Sequence, residues 1–437
     1  MKEITIQTVY DFFIKSNDFN GIPLRDVSLS LNVDYIETID IIKDLVSENL
    51  ISIQSSTNPH IIGFKHYPVE IQIKILDEAK NTTCSYYELD KIKIISENTE
   101  FPICLYPSMN YLLQNRNFSK FEGREYSKQL ASALPQLEPL FFEIEVLDRY
   151  FNDPRFDFHF SDYSGRIACK YDEGGNSILR EEDQVFLKTF GLGFDEYNNR
   201  VAVVYRRYLN SLTAEHQIYW KSRESKHKCQ MLKEYYDNTI DGNWTTSYSV
   251  FSAFIGELNC LNGLSEHIFG ESLFLQSFDK DNRPKEFTFF FIPTSKNYYE
   301  FILLLDKMLS DNINKSFFKD KVDLFDLIKI DGGLVERRQK GTIKLLEEWL
   351  SANFFLHNSK PISELLTPLK KIRKERQSPA HKISENLYDK KYIEMQENYV
   401  KEAYLVIKTL RIIFQKHPYA GTYEIPNWLE KGIIKMF

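Results

Sequence analysis

Arg376 and His381, with four residues between them in the run RKERQSPAHKI, are the side chains of this sequence whose types and spacing could carry out a reaction. A guanidinium grips phosphate through paired N–H groups, and an imidazole exchanges a proton near neutral pH. Together they suffice for metal-free cleavage of RNA. His381 as general base takes the proton of a ribose 2'-hydroxyl, and that oxygen attacks the adjacent phosphorus. Arg376 stabilises the charged pentacoordinate transition state, and a 2',3'-cyclic phosphate is left. Positioned acid–base help of this kind is worth about 100- to 10,000-fold. DNA has no 2'-hydroxyl and would not be cut this way.

An Arg-x4-His pair is short, so its placement has to carry the discrimination. Leu365, Leu369, Ile372 and Arg376 follow one another at intervals of 4, 3 and 4 residues, which puts the guanidinium on the apolar stripe at the end of a helix. An arginine there is either paired, with a carboxylate such as Glu402, or working on a ligand. Ser378 is a good N-cap and Pro379 suits the first helical position, so His381 falls in the first turn of the next helix. The positive end of the helix dipole disfavours the imidazolium and keeps His381 at or below neutrality, as a general base requires. Donors at the same helix start attract phosphate. On the plainer reading, His381 is a partly exposed residue at a helix start with no chemical role.

The elements that must hold this pair read as helices. After Asp331-Gly332-Gly333, a break, 336–353 carries an apolar stripe of Ile343, Leu346, Trp349 and Leu350. Pro361 opens a second helix, which Thr367-Pro368 kinks or restarts; Ser378-Pro379 opens a third, and 391–415 is a long fourth. Four helices with short connections make an all-α bundle over 333–437, with the tail from Tyr423, including Pro426 and Trp428, packing back on it. Charge changes at the same place. Residues 335–437 hold 19 Lys and Arg against 12 Asp and Glu, a charge of +7 in a chain of net −7, so 1–334 carry −14. The densest basic run is Lys370, Lys371, Arg373, Lys374, Arg376 and Lys382. A polyanion would be met there, unless the run is simply a solvated helix face.

This C-terminal quarter, all-helical, with Arg-x4-His at the start of a late helix, polar Gln377 after the Arg and a long closing helix, resembles the HEPN superfamily. The resemblance implies a four-helix HEPN-like domain and a metal-independent endoribonuclease of a bacterial defence or toxin system. Arg376 and His381 match the motif's two catalytic positions, and two protomers of a homodimer would bring their motifs into one cleft. Gln377 stands where many members carry Asn or Asp. RNA would be positioned by Gln377, Ser378, Lys370, Lys371, Arg373, Lys374 and Lys382. The family also includes inactive members that only dimerise or bind nucleotide.

The remainder gives a multidomain α+β protein. Residues 1–66 read as three short helices, the third capped by Asp34, then strands at Ile51-Ser52-Ile53 and Ile61-Ile62-Gly63-Phe64. That order resembles a winged helix. Its third helix carries Asp34, Glu37, Asp40, Asp44 and Glu48 against a single Lys43, a face that repels DNA, so a protein trigger or antitoxin is the better partner. Residues 67–332 read as a mixed α+β regulatory region. Within it, 156–170 is a hairpin turning at Tyr163-Ser164-Gly165, 199–238 is helical, 287–292 is a buried strand, 298–310 is an amphipathic helix, and Gly191-Leu192-Gly193 is a turn.

Several chemistries are set aside. The 5 cysteines are odd in number and never form a CxxC pair, which fits neither a disulfide framework nor a zinc site. Glu215-His216 and His227 lack a third ligand, Ala168-Cys169-Lys170 lacks the acid a restriction-type site needs, and no phosphate loop or nucleophile elbow occurs. No metal and no cofactor are expected. The absence of a signal-like start and of a long apolar run points to a cytoplasmic protein that does not engage a membrane. The competing function is non-catalytic: a winged-helix regulator whose bundle only dimerises or binds a nucleotide or a partner.

Overall fold

The computed structural model describes residues 1–437 apart from 17, 56, 57, 59, 90, 91, 98–101, 245–247, 280, 281, 330–333, 355–361, 378–384, 436 and 437. It is a mixed α+β chain of two compact units: 1–158 with 164–232, and 159–163 with 233–437.

The first unit begins with α1 (Lys2–Lys15), β1 (Ile22–Pro23), α2 (Leu24–Leu31), α3 (Tyr35–Ser47) and β2 (Ile51–Ile53), followed by α4 (Val69–Ala79), β3 (Cys84–Leu89), β4 (Ile92–Glu97) and β5 (Cys104–Pro107). Asp34 caps α3 as its sequence requires, its Oδ1 accepting from the N–H groups of Ile36 at 2.9 Å and Glu37 at 3.3 Å. Asn32 ends α2 in the left-handed conformation. β5 lies between β1 and β2 in a three-stranded sheet. The expected strand at 61–64 does not form. The carbonyls of Ile62 and Gly63 accept instead from Gln136 and Leu137, and buried Ile62 joins Phe13, Phe19 and Tyr106 in a core cluster. Leu76 and Ala79 of α4 and Leu105 of β5 share a second cluster with Val9, Ile39, Ile42 and Leu45.

After α5 (Met109–Asn115) and α6 (Glu125–Ala131) come β6 (Pro139–Glu143), α7 (Asp148–Asn152), β7 (Phe156–Ser161), β8 (Ser164–Cys169), β9 (Phe186–Asp195), β10 (Arg200–Tyr205), α8 (Arg206–Leu209), α9 (Ala214–Lys221) and β11 (Cys229–Met231). The sheet runs β6-β10-β9-β8-β7, with β11 also on β9. The β7–β8 hairpin is the one read from the sequence, although it turns earlier, at Asp162, whose φ is 54°. Two expectations are corrected here. Arg200–Tyr205 is a strand rather than the start of a helix, because Val201–Tyr205 is buried on both faces and so shows no period of two. Gly191 and Gly193 lie within β9, not in a turn, and a Cβ on Gly193 would come within 2.5 Å of the Gln230 carbonyl oxygen on β11.

The second unit contains α10 (Lys233–Thr239), β12 (Tyr248–Ser249), α11 (Val250–Phe269), α12 (Ser295–Met308), β13 (Phe325–Lys329), β14 (Val335–Gln339), α13 (Thr342–Asn353), α14 (Ile362–Leu365), α15 (Thr367–Gln377), α16 (Lys391–Gln415), α17 (Asn427–Glu430) and β15 (Ile434–Lys435). α16 packs along α11, and α15 packs on α12 and α16. A buried ion pair joins the long helices: Arg411 Nε and Nη2 donate to Glu257 at 2.7 and 3.0 Å. Trp349 sits among Phe269, Phe317, Phe354 and Phe414. The tail folds back through Trp428, stacked on Tyr248 at 4.1 Å, and through β15, parallel to β12.

The expectations for 287–292 and 336–353 need revision. Residues 287–292 are not a strand. Phe287, Phe289 and Phe291 are buried, but the carbonyls of Phe287 and Thr288 accept from the side chains of Arg283 and Gln396 rather than from a neighbouring strand. The helix read over 336–353 begins only at Thr342, since 335–339 form β14 against β13. Among the described residues, no helix is long and apolar enough to cross a membrane.

Candidate functional site

The site is built on α15. Leu369 and Ile372 bury its inner face against α12 and α16, and Arg376, one turn further on, emerges at the edge of that stripe with about a third of its side chain exposed. It meets two carboxylates from the end of α12 and the residues just after it. Arg376 Nη1 donates to Asp306 Oδ2 at 2.6 Å and to Asp311 Oδ2 at 2.7 Å. Arg373, one turn back on α15, donates to Asp311 Oδ1 at 3.2 Å and lies 3.9 Å from Asp306 Oδ2. The partner is therefore not Glu402, which instead lies 3.5 Å from Lys371 Nζ.

Burial separates the two acids. Asp306 has no exposed side-chain surface, and its Oδ1 has no hydrogen-bond partner among the described residues; nor does the hydroxyl of Ser310, also buried. Asp311 is more open. Its partial burial alone would raise its carboxyl, but the Arg376 and Arg373 guanidiniums outweigh this and hold it below the ordinary carboxylate range. Hydrogen bonds to Asp306 and then to Asp311 strengthen the protonated state of Arg376 further. All the carboxylate bonds of Arg376 pass through Nη1, so its Nε and Nη2 donors, two parallel N–H groups along one edge, have no partner among the described residues. That edge can take a phosphate in the two-pronged manner of guanidinium–oxyanion pairs.

The neighbouring cations are mostly answered. Lys370 Nζ pairs with Glu347 at 2.7 Å and Lys371 with Glu402. Lys374 is exposed and has no ion pair among the described residues, and Gln377 is exposed at the last position of α15. Glu375, within the same run, accepts from the buried Tyr298 hydroxyl at 3.3 Å. His381, Ser378 and Lys382 lie outside the described residues, as does the expected helix start at Ser378-Pro379. The structure thus brings together Arg373 and Arg376 of the candidate residues, and adds Asp306 and Asp311. Neither acid was legible as part of a site, because each reads locally as a polar residue at a helix end, 65 to 70 positions before Arg376.

No group of three or more His, Cys, Asp or Glu among the described residues is arranged to hold a metal ion. Compared with family models, with curated proteins and with solved structures, the chain matches none.

Proposed function

We propose that this chain is a metal-independent endoribonuclease of the HEPN type, in which Arg376 holds the scissile phosphate and His381 removes the 2'-hydroxyl proton. The observation that carries the reading is the anchored guanidinium. Asp306 and Asp311 fix Nη1 and leave the Nε–Nη2 edge open, two residues before the Ser378-Pro379-Ala380-His381 run. A side chain held in advance loses little freedom when it meets phosphate, which is the condition for electrostatic stabilisation of a transition state. The 2'-oxygen attacks phosphorus, the bond to the 5'-oxygen breaks, and the departing oxygen takes up a proton. Assembly as a homodimer, with the acidic N-terminal region answering a protein trigger, completes the proposal.

A second reading has its own support. The cations of α15 are largely matched by Glu347, Glu402, Asp306 and Asp311, as in a structural helix of a non-catalytic regulator. Total RNA incubated in EDTA with the full chain and with its Arg376→Ala, Arg376→Lys and His381→Ala variants separates the two. The enzyme reading expects cleavage to 2',3'-cyclic ends, lost at least about 100-fold in His381→Ala. Cleavage by all four proteins at one rate, or by none, leaves the regulator.

A further inference from the structure

We propose that the β13–β14 ribbon, rather than the basic run of α15, is the surface on which single-stranded RNA docks. This rests on the ribonuclease reading above and extends it to substrate binding. Little positive charge on α15 remains available to a ligand. Four of the five described cations of the α15 run have carboxylate partners. On the ribbon the situation is reversed: Lys329, Arg337 and Arg338 have no ion pair among the described residues.

The register then sorts the ribbon into faces. Directly opposed residues share a face, and faces alternate along each strand. Phe325 with Gln339, Leu327 with Arg337, and Lys329 with Val335 therefore lie on one side. That side carries no carboxylate among its described residues, and Lys315 reaches its end by donating to Gln339 Oε1 at 3.3 Å. The two acids of the paired segment, Asp326 and Glu336, are on the other side, where Asp326 is bound by Lys344 at 2.8 Å. Leu327 is 70% exposed and Val335 54%, and every residue of β14 is exposed. No third strand pairs with the ribbon among the described residues, and a two-stranded ribbon open on one face is marginal on its own.

Charge and shape both favour a nucleic acid strand as the occupant. The guanidinium carbon of Arg337 lies 3.9 Å from the centre of the Phe325 ring, so the cation is held over an aromatic and presents a planar surface to a base. Lys329 and Lys315 flank it as phosphate contacts. Cations interleaved with stacking groups are the pattern that binds single strands without reading sequence. A second copy of this ribbon would set cation against cation.

The test uses a fluorescein-labelled 20-nucleotide oligouridylate and the full-length chain carrying His381→Ala, in EDTA, with affinity followed over a salt series. A Lys315→Ala/Lys329→Ala/Arg337→Ala variant, whose melting temperature is checked to be unchanged, should bind roughly tenfold more weakly at low salt. Its logarithmic salt slope should be shallower by about 2, three contacts at about 0.7 each. Arg337→Lys should keep the slope and lose affinity about fivefold through lost stacking. Equal binding by the triple variant overturns the proposal. So does loss of binding only in Lys370→Ala/Lys371→Ala/Lys374→Ala, absence of binding at low salt, or displacement by polyglutamate as effective as by RNA, which would make the occupant an acidic protein segment. Cleavage by the wild-type chain with ribbon-independent binding removes the docking face and leaves the nuclease. Ribbon-dependent binding without cleavage removes the nuclease and leaves the docking face.

Discussion

Asp306 decides what Arg376 means for stability. A carboxylate with no exposed surface holds its charge in the interior because Arg376 Nη1 lies 2.6 Å away, with Arg373 a distant second at 3.9 Å. Removing the guanidinium leaves a buried charge with weak compensation, which costs about 3 kcal/mol. Urea unfolding of Arg376→Ala should show a loss of that order, and Asp306→Asn placed on top should recover part of it, because a neutral amide no longer needs the cation. An additive double variant would mean that the pair is uncoupled. This is why a test of catalysis cannot rest on Arg376→Ala alone. The sequence placed Arg376 correctly on the edge of an apolar stripe and required it to be paired or working. It could not name the partner, since that depends on how α12 and α15 pack, which no local pattern encodes. His216 ties stability to pH. It is fully buried: Tyr150 Oη lies 2.7 Å from Nδ1, the Asp183 carbonyl lies 3.1 Å from Nε2, and Trp220 Nε1 donates to the same Tyr150 oxygen at 3.0 Å. Burial lowers its pKa, as it does that of His66. Between the lowered folded value and the unfolded value of about 6.5 the unfolded chain binds more protons. The stability these groups confer is therefore complete above about pH 6.5 and declines as pH falls below it. Unfolding free energy measured at pH 7 and pH 5 should show this fall, and His216→Gln, though less stable at pH 7, should fall less steeply. Equal slopes would remove His216 from the account.

Elements were legible where one signal dominated. Asp34 capping α3 and the helix over 391–415 stand where the residues put them, and the 156–170 hairpin forms with its turn moved to Asp162. The misreadings share a cause. Val335–Gln339 has no apolar face to declare a strand, because its pairing with β13 leaves both sides in water, and its charges look helical. Residues 287–292 are an apolar run buried at 287, 288, 289 and 291 as a core strand would be, yet the carbonyls of Phe287 and Thr288 are satisfied by side chains from elsewhere in the unit. Only tertiary context distinguishes these cases. α16 shows the same division. Its stripe was readable, but the partner it faces, α11, and the buried Glu257–Arg411 pair between them were not. A two-pronged pair with 0% and 4% side-chain exposure is costly to break and of little net worth to keep. Arg411→Ala should therefore lower stability by about 3 to 5 kcal/mol in chemical denaturation, whereas Glu257→Leu with Arg411→Met should leave it near or above wild type. A double variant as unstable as the single one would mean that the ion pair, not packing, holds α11 to α16.

At the scale of the whole chain, the change in composition near residue 335 is real as a matter of charge, but the packing does not follow it. α16 buries its stripe against α11, and α15 lays Leu369 and Ile372 against α12, both of which precede residue 310. The second unit also takes in 159–163, where the Asp162 carboxylate accepts from the hydroxyls of Ser249 and Ser252 at the start of α11, while Arg283 donates to Ser252 at 3.0 Å. A fragment of 335–437 therefore lacks the surfaces that its two principal helices cover, and isolated helices of 11 and 25 residues gain most of their stability from such packing. Circular dichroism and urea titration of this fragment should show a non-cooperative, largely unfolded chain. A fragment of 233–437 keeps α11 and α12 and should melt cooperatively, but at reduced temperature, because without Asp162 the partly buried guanidinium of Arg283 loses a negative charge that acts on it and Ser249 and Ser252 lose their shared acceptor. If 335–437 folded cooperatively alone, the C-terminal helices would form an autonomous domain and their contacts with α11 and α12 would be incidental. If it does not, RNA cleavage has to be assayed in chains that retain residues from 233 onward, and an inactive 335–437 fragment says nothing about Arg376 or His381.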